Sequence, residues 1–382
     1  RELDTRGIVI ATGIDREDGK IIVTNEVINP ASGSESKNAS TMEITIYVQG
    51  IGDTVEGAIA KTTLSFDREL YYPHNFIIIF GEEFAKQGIG AYIDILTRSS
   101  EQREQAYLLI AKGSRAYDIM GIGSGMADSP GRYIYDIIKE DIYNGMSRSI
   151  NVSEFFKYYY LQEEGTVFGV ARAIKKPQVD KSKSGSEVNV ICVEGGAVLK
   201  NGKLVGYFTG DEMKGFNFAV DKLKSSVVSF KTPRYLTESE DFIDGSGGLT
   251  SVRIFKSKTK KDVKLIDGKL KLFIEVTARA PLKEETQGLD ISKHRVKEEM
   301  EKACAKKIES TISKTMEKTQ KEFNIDTLGI GRLVHRKYPK LWKEIKDDWD
   351  EIFSDLNYTI NVKVRFADTG FTNTPPNIRK DK

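Results

Sequence analysis

Short stretches in which apolar and polar residues alternate dominate the first half of the chain, and they predict strands. Ile8 to Gly13 and Lys20 to Ile28 are β-rich and flank Asp18-Gly19, a dipeptide suited to the two positive-φ positions of a tight hairpin turn. A Gly/Ser/Asn-rich loop from Ala31 to Ser40 precedes "TMEITIYVQG", whose alternation predicts a strand with one buried face. Phe76 to Phe80 is wholly apolar and predicts a buried strand; "REQAYLLIAKG" and "TVFGVARAIKKP" predict two more. Helical spacing falls between them. Asp53 is the expected cap of "DTVEGAIAKTTLSF", with Val55, Ala58 and Ala60 on or near the buried side. "EEFAKQGIGAYIDILTR" reads as a helix interrupted at its glycines, "SRAYDIM" as helical, and "SEFFKYYYLQEE" as an aromatic-rich helix. Ser129-Pro130 supplies a cap and a first-turn proline for "PGRYIYDIIKEDIYNG".

Two breaks in composition organise the rest. "KKPQVDKSKSGSE" and "TESEDFIDGSGG" are polar and carry glycine and serine, as linkers or exposed loops do. They divide the chain into an N-terminal α+β domain at 1–176, a small middle domain at 187–232 and a C-terminal domain at 246–371. The middle part holds a hairpin turning at Asn201-Gly202 and a helical "GDEMKGFNFAVDKLK". In the last part "LTSVRIFKSK", "KDVKLI" and "KLKLFIEVTARA" read as antiparallel strands, the last two joined at Asp267-Gly268. A long helix follows from about Ser292 to Phe323, with Val296, Met300, Ala303, Ile308, Thr311, Ile312, Met316 and Phe323 recurring at steps of three and four. Short helices around Trp342 and Trp349, a final strand "YTINVKVRF" and a polar tail after Phe371 complete the chain. The expected class is α+β in three domains, with mixed or antiparallel sheets, packed helices and a long amphipathic helix in the C-terminal domain.

Composition narrows function mostly by exclusion. With 58 Lys and Arg against 56 Asp and Glu the formal net charge is +2, so no global field favours nucleic acid. No apolar run approaches the ~20 residues of a membrane-spanning helix. The sequence opens at Arg1, which is expected to mark a processed piece with any targeting segment upstream. Cys192 and Cys304 are expected as buried free thiols, with a single long-range disulfide as the alternative; neither has metal-ligand spacing. His74, His294 and His335 lie far apart, and none stands in HExxH or HxxxH spacing. His74, at the lip of the apolar strand, is either a strand-entry residue or a catalytic base. Gly121, Gly123 and Gly125 follow a helical stretch rather than a strand, which suits a connector better than a phosphate loop. Asp347, Asp348, Asp350 and Glu351 suit the acidic first turn of a helix. Trp342 and Trp349 are expected in the core under the C-terminal sheet. "SKSKTKKDVK" could face phosphates, of nucleic acid or of lipid headgroups, or be a solvated hairpin. No catalytic, cofactor-binding or metal residue is assigned, and no cofactor is expected.

The ordered segments "RELDTRGIVIATGID", "TNEVINP", "SFDRELYYPHNFIIIFGEEFAKQGI" and "DILTRSSEQREQAYLLIAKGSRAYDIM" resemble the C subunit of bacterial spore germinant receptors, the Ger(x)C family. "EGGAVLKNGKLVGYFTGDEMKGFNF" is similar to that family's middle stretch, and "YPKLWKEIKDDWDEIFSDLNYTINVKVRFADTG" to its closing pattern. Nearly the whole chain is covered in order. The resemblance implies three α+β domains and a non-enzymatic lipoprotein. Its lipidated cysteine would lie just before "REL", and this sequence does not contain it. It further implies acyl-chain anchoring (palmitate among the candidate chains) on the outer face of the spore inner membrane, membrane A and B subunits as partners, and no nucleic acid. In that setting His74 is structural, and Asp67, Arg68, Glu69 and Arg103 pin strand ends by ion pairs. An extracytoplasmic lipoprotein that itself binds a small nutrient is the alternative, and a hydrolase of unfamiliar type is a third.

Overall fold

The computed structural model describes residues 6–28, 45–98, 104–123, 129–141, 143–159, 165–177, 187–236, 248–285, 289 and 293–367. The chain forms two compact units, one of residues Arg1–Asp141 and Ser147–Phe208, the other of Ile142–Met146 and Thr209–Lys382. The class is α+β, as expected, and a long helix lies in the C-terminal part. Residues 187–232, set apart above as a middle domain, are shared between the units, with the division at Thr209.

The first unit is built on one ten-stranded mixed sheet. Strand β1 (Arg6–Glu17) turns through Asp18 (φ 49°) and Gly19 (φ 77°) into β2 (Lys20–Ile28), the left-handed pair that the Asp-Gly dipeptide predicts. β3 (Thr45–Gly52) pairs with β2 and forms one edge, with Val48, Gly50 and Gly52 buried. Helix α1 (Val55–Thr62) packs on β3, and its cap is Thr54, whose hydroxyl accepts from the Gly57 amide at 3.0 Å. Asp53, the expected cap, instead pairs with Lys20 at 2.5 Å, and Ala60, expected near the buried side, is exposed. A three-residue strand, β4 (Glu69–Tyr71), lies parallel to β1.

β5 (Ile77–Gly81) is buried at every residue, which accounts for its unbroken apolar run: it is a central parallel strand covered on both faces. Helices α2 (Glu82–Gln87) and α3 (Gly90–Arg98) follow, separated at Gly88 as the sequence predicts. Next come β6 (Tyr107–Ala111), α4 (Ala116–Ile119), α5 (Pro130–Asp141), β7 (Ile150–Asn151) and α6 (Val152–Tyr159). β8 (Thr166–Pro177) then pairs with β9 (Glu187–Lys200), and β9 turns through Asn201 (φ 50°) and Gly202 (φ 75°) into β10 (Lys203–Phe208). The strand order is β10-β9-β8-β6-β5-β1-β2-β3, with β8, β6, β5 and β1 mutually parallel and the wings antiparallel. One core gathers Phe80, Phe84, Tyr92, Phe155 and Phe168; another gathers Ile79, Leu109, Ala116, Ile134 and Ile138.

In the second unit α7 (Gly210–Ala219) leads to β11 (Ser226–Lys231), which has no counterpart among the predicted strands. The expected strand "LTSVRIFKSK" is split at Phe255 into β12 (Leu249–Ile254) and β13 (Lys256–Ile266), which join different sheets. β14 (Lys269–Ala280) follows a left-handed Asp267-Gly268 turn (φ 50° and 74°), and β15 (Leu282–Glu285) returns to β12. Helix α8 (His294–Glu317) buries Met300, Cys304, Ile308, Ile312, Thr315 and Met316, whereas Val296, Ala303 and Thr311 are half-buried. A π-helical turn at Lys318–Phe323 extends it to the expected end. α9 (Ile330–Lys337), α10 (Pro339–Ile345), α11 (Trp349–Ser354) and β16 (Asn357–Phe366) complete the unit. Its two three-stranded sheets run β11-β12-β15 and β13-β14-β16, the last pair parallel.

The short insertion from the first half of the chain is held by polar contacts within this unit. Ser226 Oγ donates to Asn144 O at 2.8 Å, and Asn217 Nδ2 to Gly145 O at 3.0 Å. Among the described residues no helix is long and apolar enough to cross a membrane. The loop 31–40, Arg103, Gly125, the second linker's residues 237–247 and the tail from 368 lie outside the described residues.

Candidate functional site

Charged groups that are costly to bury mark the places where the fold has committed polar chemistry. Four carboxylates are buried among the described residues: Asp15, Glu26, Glu301 and Asp326. Each accepts hydrogen bonds from main-chain amides. Glu26, near the carboxyl end of the buried strand β2, meets the first turn of α5, where the Gly131 amide donates to both of its oxygens at 3.0 Å. Glu301 on α8 accepts from the Phe366 amide at 2.7 Å and from Arg365 at 3.1 Å, fixing the end of β16. Asp326 caps α9, taking the Leu328 amide at 3.0 Å and the Gly331 amide at 2.6 Å, and also accepts from Trp349 Nε1 at 3.2 Å. Burial pushes the Glu26 and Asp326 carboxyls above the usual range, against the pull of those amides. These are structural uses of carboxylate charge at helix starts and strand ends.

Asp15 differs in its surroundings. It stands near the carboxyl end of β1, beside those of β5 and β6, where parallel sheets tend to take ligands. Its oxygens accept from the Ala116 amide at 2.6 Å and the Tyr117 amide at 3.3 Å, joining β1 to α4. A Cβ on Gly81 would lie 2.0 Å from Asp15 Oδ1, so the end of β5 must be glycine for the carboxylate to fit. An open cleft of about 450 Å³ forms here, walled by Asp15, Glu82, Ser114, Arg115 and Asp118. Its charges are matched largely within the protein. Arg115 donates to Asp118 at 2.9 Å and to Glu17 at 3.0 Å, and Lys86 pairs with Glu82 at 2.9 Å and Glu83 at 2.8 Å. The arrangement can hold a small polar molecule. It brings no histidine or cysteine to the cleft.

Burial raises the Asp15 carboxyl from its ordinary 3.8 to about 6, with the two amides pulling the other way. A raised folded-state value means the folded chain holds this proton more tightly than the unfolded chain does. The stabilising contribution is therefore complete below pH 4 and is lost as pH rises through 6. Asp15→Asn is expected to remove this dependence. Between pH 4 and pH 7 its unfolding free energy in urea should gain on wild type by up to about 3 kcal/mol; a constant difference across that range rules the assignment out.

The residues singled out in the sequence do not converge. His74 is exposed beside Tyr71, with ring centroids 5.8 Å apart, and is a strand-entry residue. His294 is exposed in the first turn of α8, and His335 stacks on Trp342 at 5.7 Å. Cys192 is half-buried rather than buried and Cys304 is buried; both are free thiols, and desolvation pushes the Cys304 thiol up to about 12. Asp350 and Glu351 lie in the first turn of α11 as expected, whereas Asp347 and Asp348 precede it in a short 3-10 turn. Trp342 and Trp349 are buried, ring centroids 5.2 Å apart. No group of three or more potential metal ligands occurs among the described residues. The residues that sequence reasoning passed over are the buried carboxylates; for Asp15 and Glu26 the signal was an acid interrupting an apolar strand in "IVIATGIDRE" and "KIIVTNEVI".

Comparisons with known proteins agree with this architecture. A family model described as the spore germination protein N-terminal domain matches residues 1–170, and one described as spore germination B3/GerAC like, C-terminal, matches residues 194–370. Spore germination protein KC of Bacillus subtilis is 25% identical over 98% of this chain and 92% of its own length. Spore germination protein B3 of the same organism is 23% identical over 88% of this chain and 84% of its own. The crystal structure of the GerBC protein superposes with a TM-score of 0.57 at 19% identity, covering 94% of this chain and 97% of that one, a likeness of fold. Two germination-protein models in order along one chain, with whole-length relatives of the same kind, place it in the Ger(x)C family of spore germination proteins.

Proposed function

We propose that the chain is the non-enzymatic, lipid-anchored C subunit of a nutrient germinant receptor. In this reading it is held on the outer face of the spore inner membrane, where it works with the membrane A and B subunits to trigger germination. The observation that carries the proposal is the ordered match of two spore-germination models to residues 1–170 and 194–370. The non-enzymatic part is supported by the engagement of all four buried carboxylates with main-chain amides. The test is affinity purification of the tagged full-length gene product from spore membranes, with cross-links mapped to its partners. Recovery of the A and B subunits is expected, and substitution of the cysteine expected before Arg1 should move the chain to the soluble fraction. Purification without either subunit would reject the proposal.

The cleft at Asp15 favours a second reading, in which the chain itself binds a small nutrient. Thermal-shift titration with amino acids and sugars separates the two. Saturable stabilisation that is lost in Arg115→Ala supports the second reading, and a flat response supports the first.

A further inference from the structure

The sheet β13-β14-β16 has one face against α8 and one toward solvent, and the solvent face is strongly cationic. Strand alternation and register set its rows. Lys256, Arg279 and Arg365 stand side by side; Lys258 and Lys363 flank Thr277; Lys260 and Asn361 flank Glu275. Asp262 flanks Phe273, Lys264 is opposite Lys271, and Lys269 closes the end near the turn. Nine cations thus share a face with two carboxylates, in a chain whose formal net charge is only +2. Two of the nine are matched from the sheet edges, Lys258 by Asp221 at 2.5 Å and Arg365 by Glu301 at 3.1 Å. The other seven make no ion pair among the described residues.

Like charges directly opposite on neighbouring strands destabilise a sheet, and this face repeats that arrangement in the Lys256–Arg279–Arg365 row and the Lys264–Lys271 pair. The strands reach about 35 Å, and the charges are spaced within a Debye length of about 8 Å from their neighbours, so they act jointly on a flat polyanion. At the hairpin tip Ile266, on this face, and Leu265, on the opposite face, are 44% and 49% exposed, between Lys264 and Lys269. Apolar residues flanked by lysine suit the boundary between headgroups and acyl chains, which a nucleic acid does not offer.

We propose that this face lies on an anionic lipid surface, with the Leu265-Ile266 tip entering the headgroup layer. The inference rests on the membrane-tethered reading above and adds to it the face that meets the bilayer. Each basic residue near such a surface is expected to change partitioning about fivefold.

The test uses the chain as it stands, without acyl groups, and sedimentation with vesicles of phosphatidylcholine alone or with about 30% phosphatidylglycerol. Binding only to the anionic vesicles, reversed by high salt, is expected. Joint replacement Lys256→Glu, Lys260→Glu, Lys264→Glu and Lys363→Glu should weaken it by more than about a hundredfold. Unchanged tryptophan fluorescence verifies folding, since both tryptophans belong to this unit. Equal binding to both vesicle types, equal binding by the folded variant, or tighter binding to a DNA duplex at the same salt overturns the proposal. Because no acyl chain takes part, such a failure leaves the purification test of the receptor-subunit reading intact.

Discussion

Asp326→Ala is expected to destabilise the second unit by about 3–5 kcal/mol, because two main-chain amides and an indole N–H lose one shared acceptor in a fully buried site. The carboxylate holds three pieces together: the turn after the π-helical segment, the first turn of α9, and Trp349 of α11. Packing there is tight, since a Cβ on Gly331 would lie 2.8 Å from Trp349 Nε1 and 2.9 Å from Trp342 Cη2. Asp326→Asn keeps one acceptor oxygen and should cost about half as much. The chain's only tryptophans are Trp342 and Trp349, so urea unfolding followed by intrinsic fluorescence reports on this cluster directly. A midpoint within experimental error of wild type for the alanine variant would show that the carboxylate is dispensable.

Gly50→Ala is the second large effect, and its mechanism is steric. The new Cβ would stand 1.9 Å from the Ala58 carbonyl oxygen and 2.9 Å from Thr62 Cγ2, so α1 could not keep its seat on β3. Gly52 repeats the requirement, its Cβ position lying 2.6 Å from the Ala58 amide nitrogen. Neither glycine has positive φ; close approach of helix and strand is what each provides. Overpacking of this kind costs about 1–3 kcal/mol, and more when the atom struck is backbone. Because it is backbone, Ala58→Gly should fail to rescue the variant. Hydrogen exchange is the suitable measurement: amides of α1 should lose protection about a hundredfold while those of β5 keep theirs. Retained protection in α1 would contradict the packing described.

Sequence pattern disclosed local structure wherever the cause was local. Asp18-Gly19, Asn201-Gly202 and Asp267-Gly268 all adopt the left-handed pair that such dipeptides favour, and each makes the hairpin expected. The buried run at Ile77–Gly81 and the stripe of α8 were legible because burial imposes a period on composition. Partner choice was not legible. β1 pairs with β5 and β14 with β16, across intervals in which helices intervene, and no residue in any of these strands names its neighbour. β11 escaped because its strand alternates over only six residues between lysines. The split at Phe255 escaped because "LTSVRIFKSK" keeps an acceptable strand pattern through the break. At the candidate site the gap was of another kind. Asp15 and Glu26 look like solvent residues by type, and only the fold brings the α4 and α5 amides that hold them.

The insertion at 143–146 has a consequence for inheritance. Its carbonyls take hydrogen bonds from Ser226 and Asn217, so the body formed after Thr209 depends on four residues encoded well upstream of it. A gene rearrangement cutting between the two matched regions would carry those residues away with the wrong partner. The halves of this chain are therefore expected to descend together, and swapped chimeras made at residue 209 should fold less well than chimeras that also exchange 142–146.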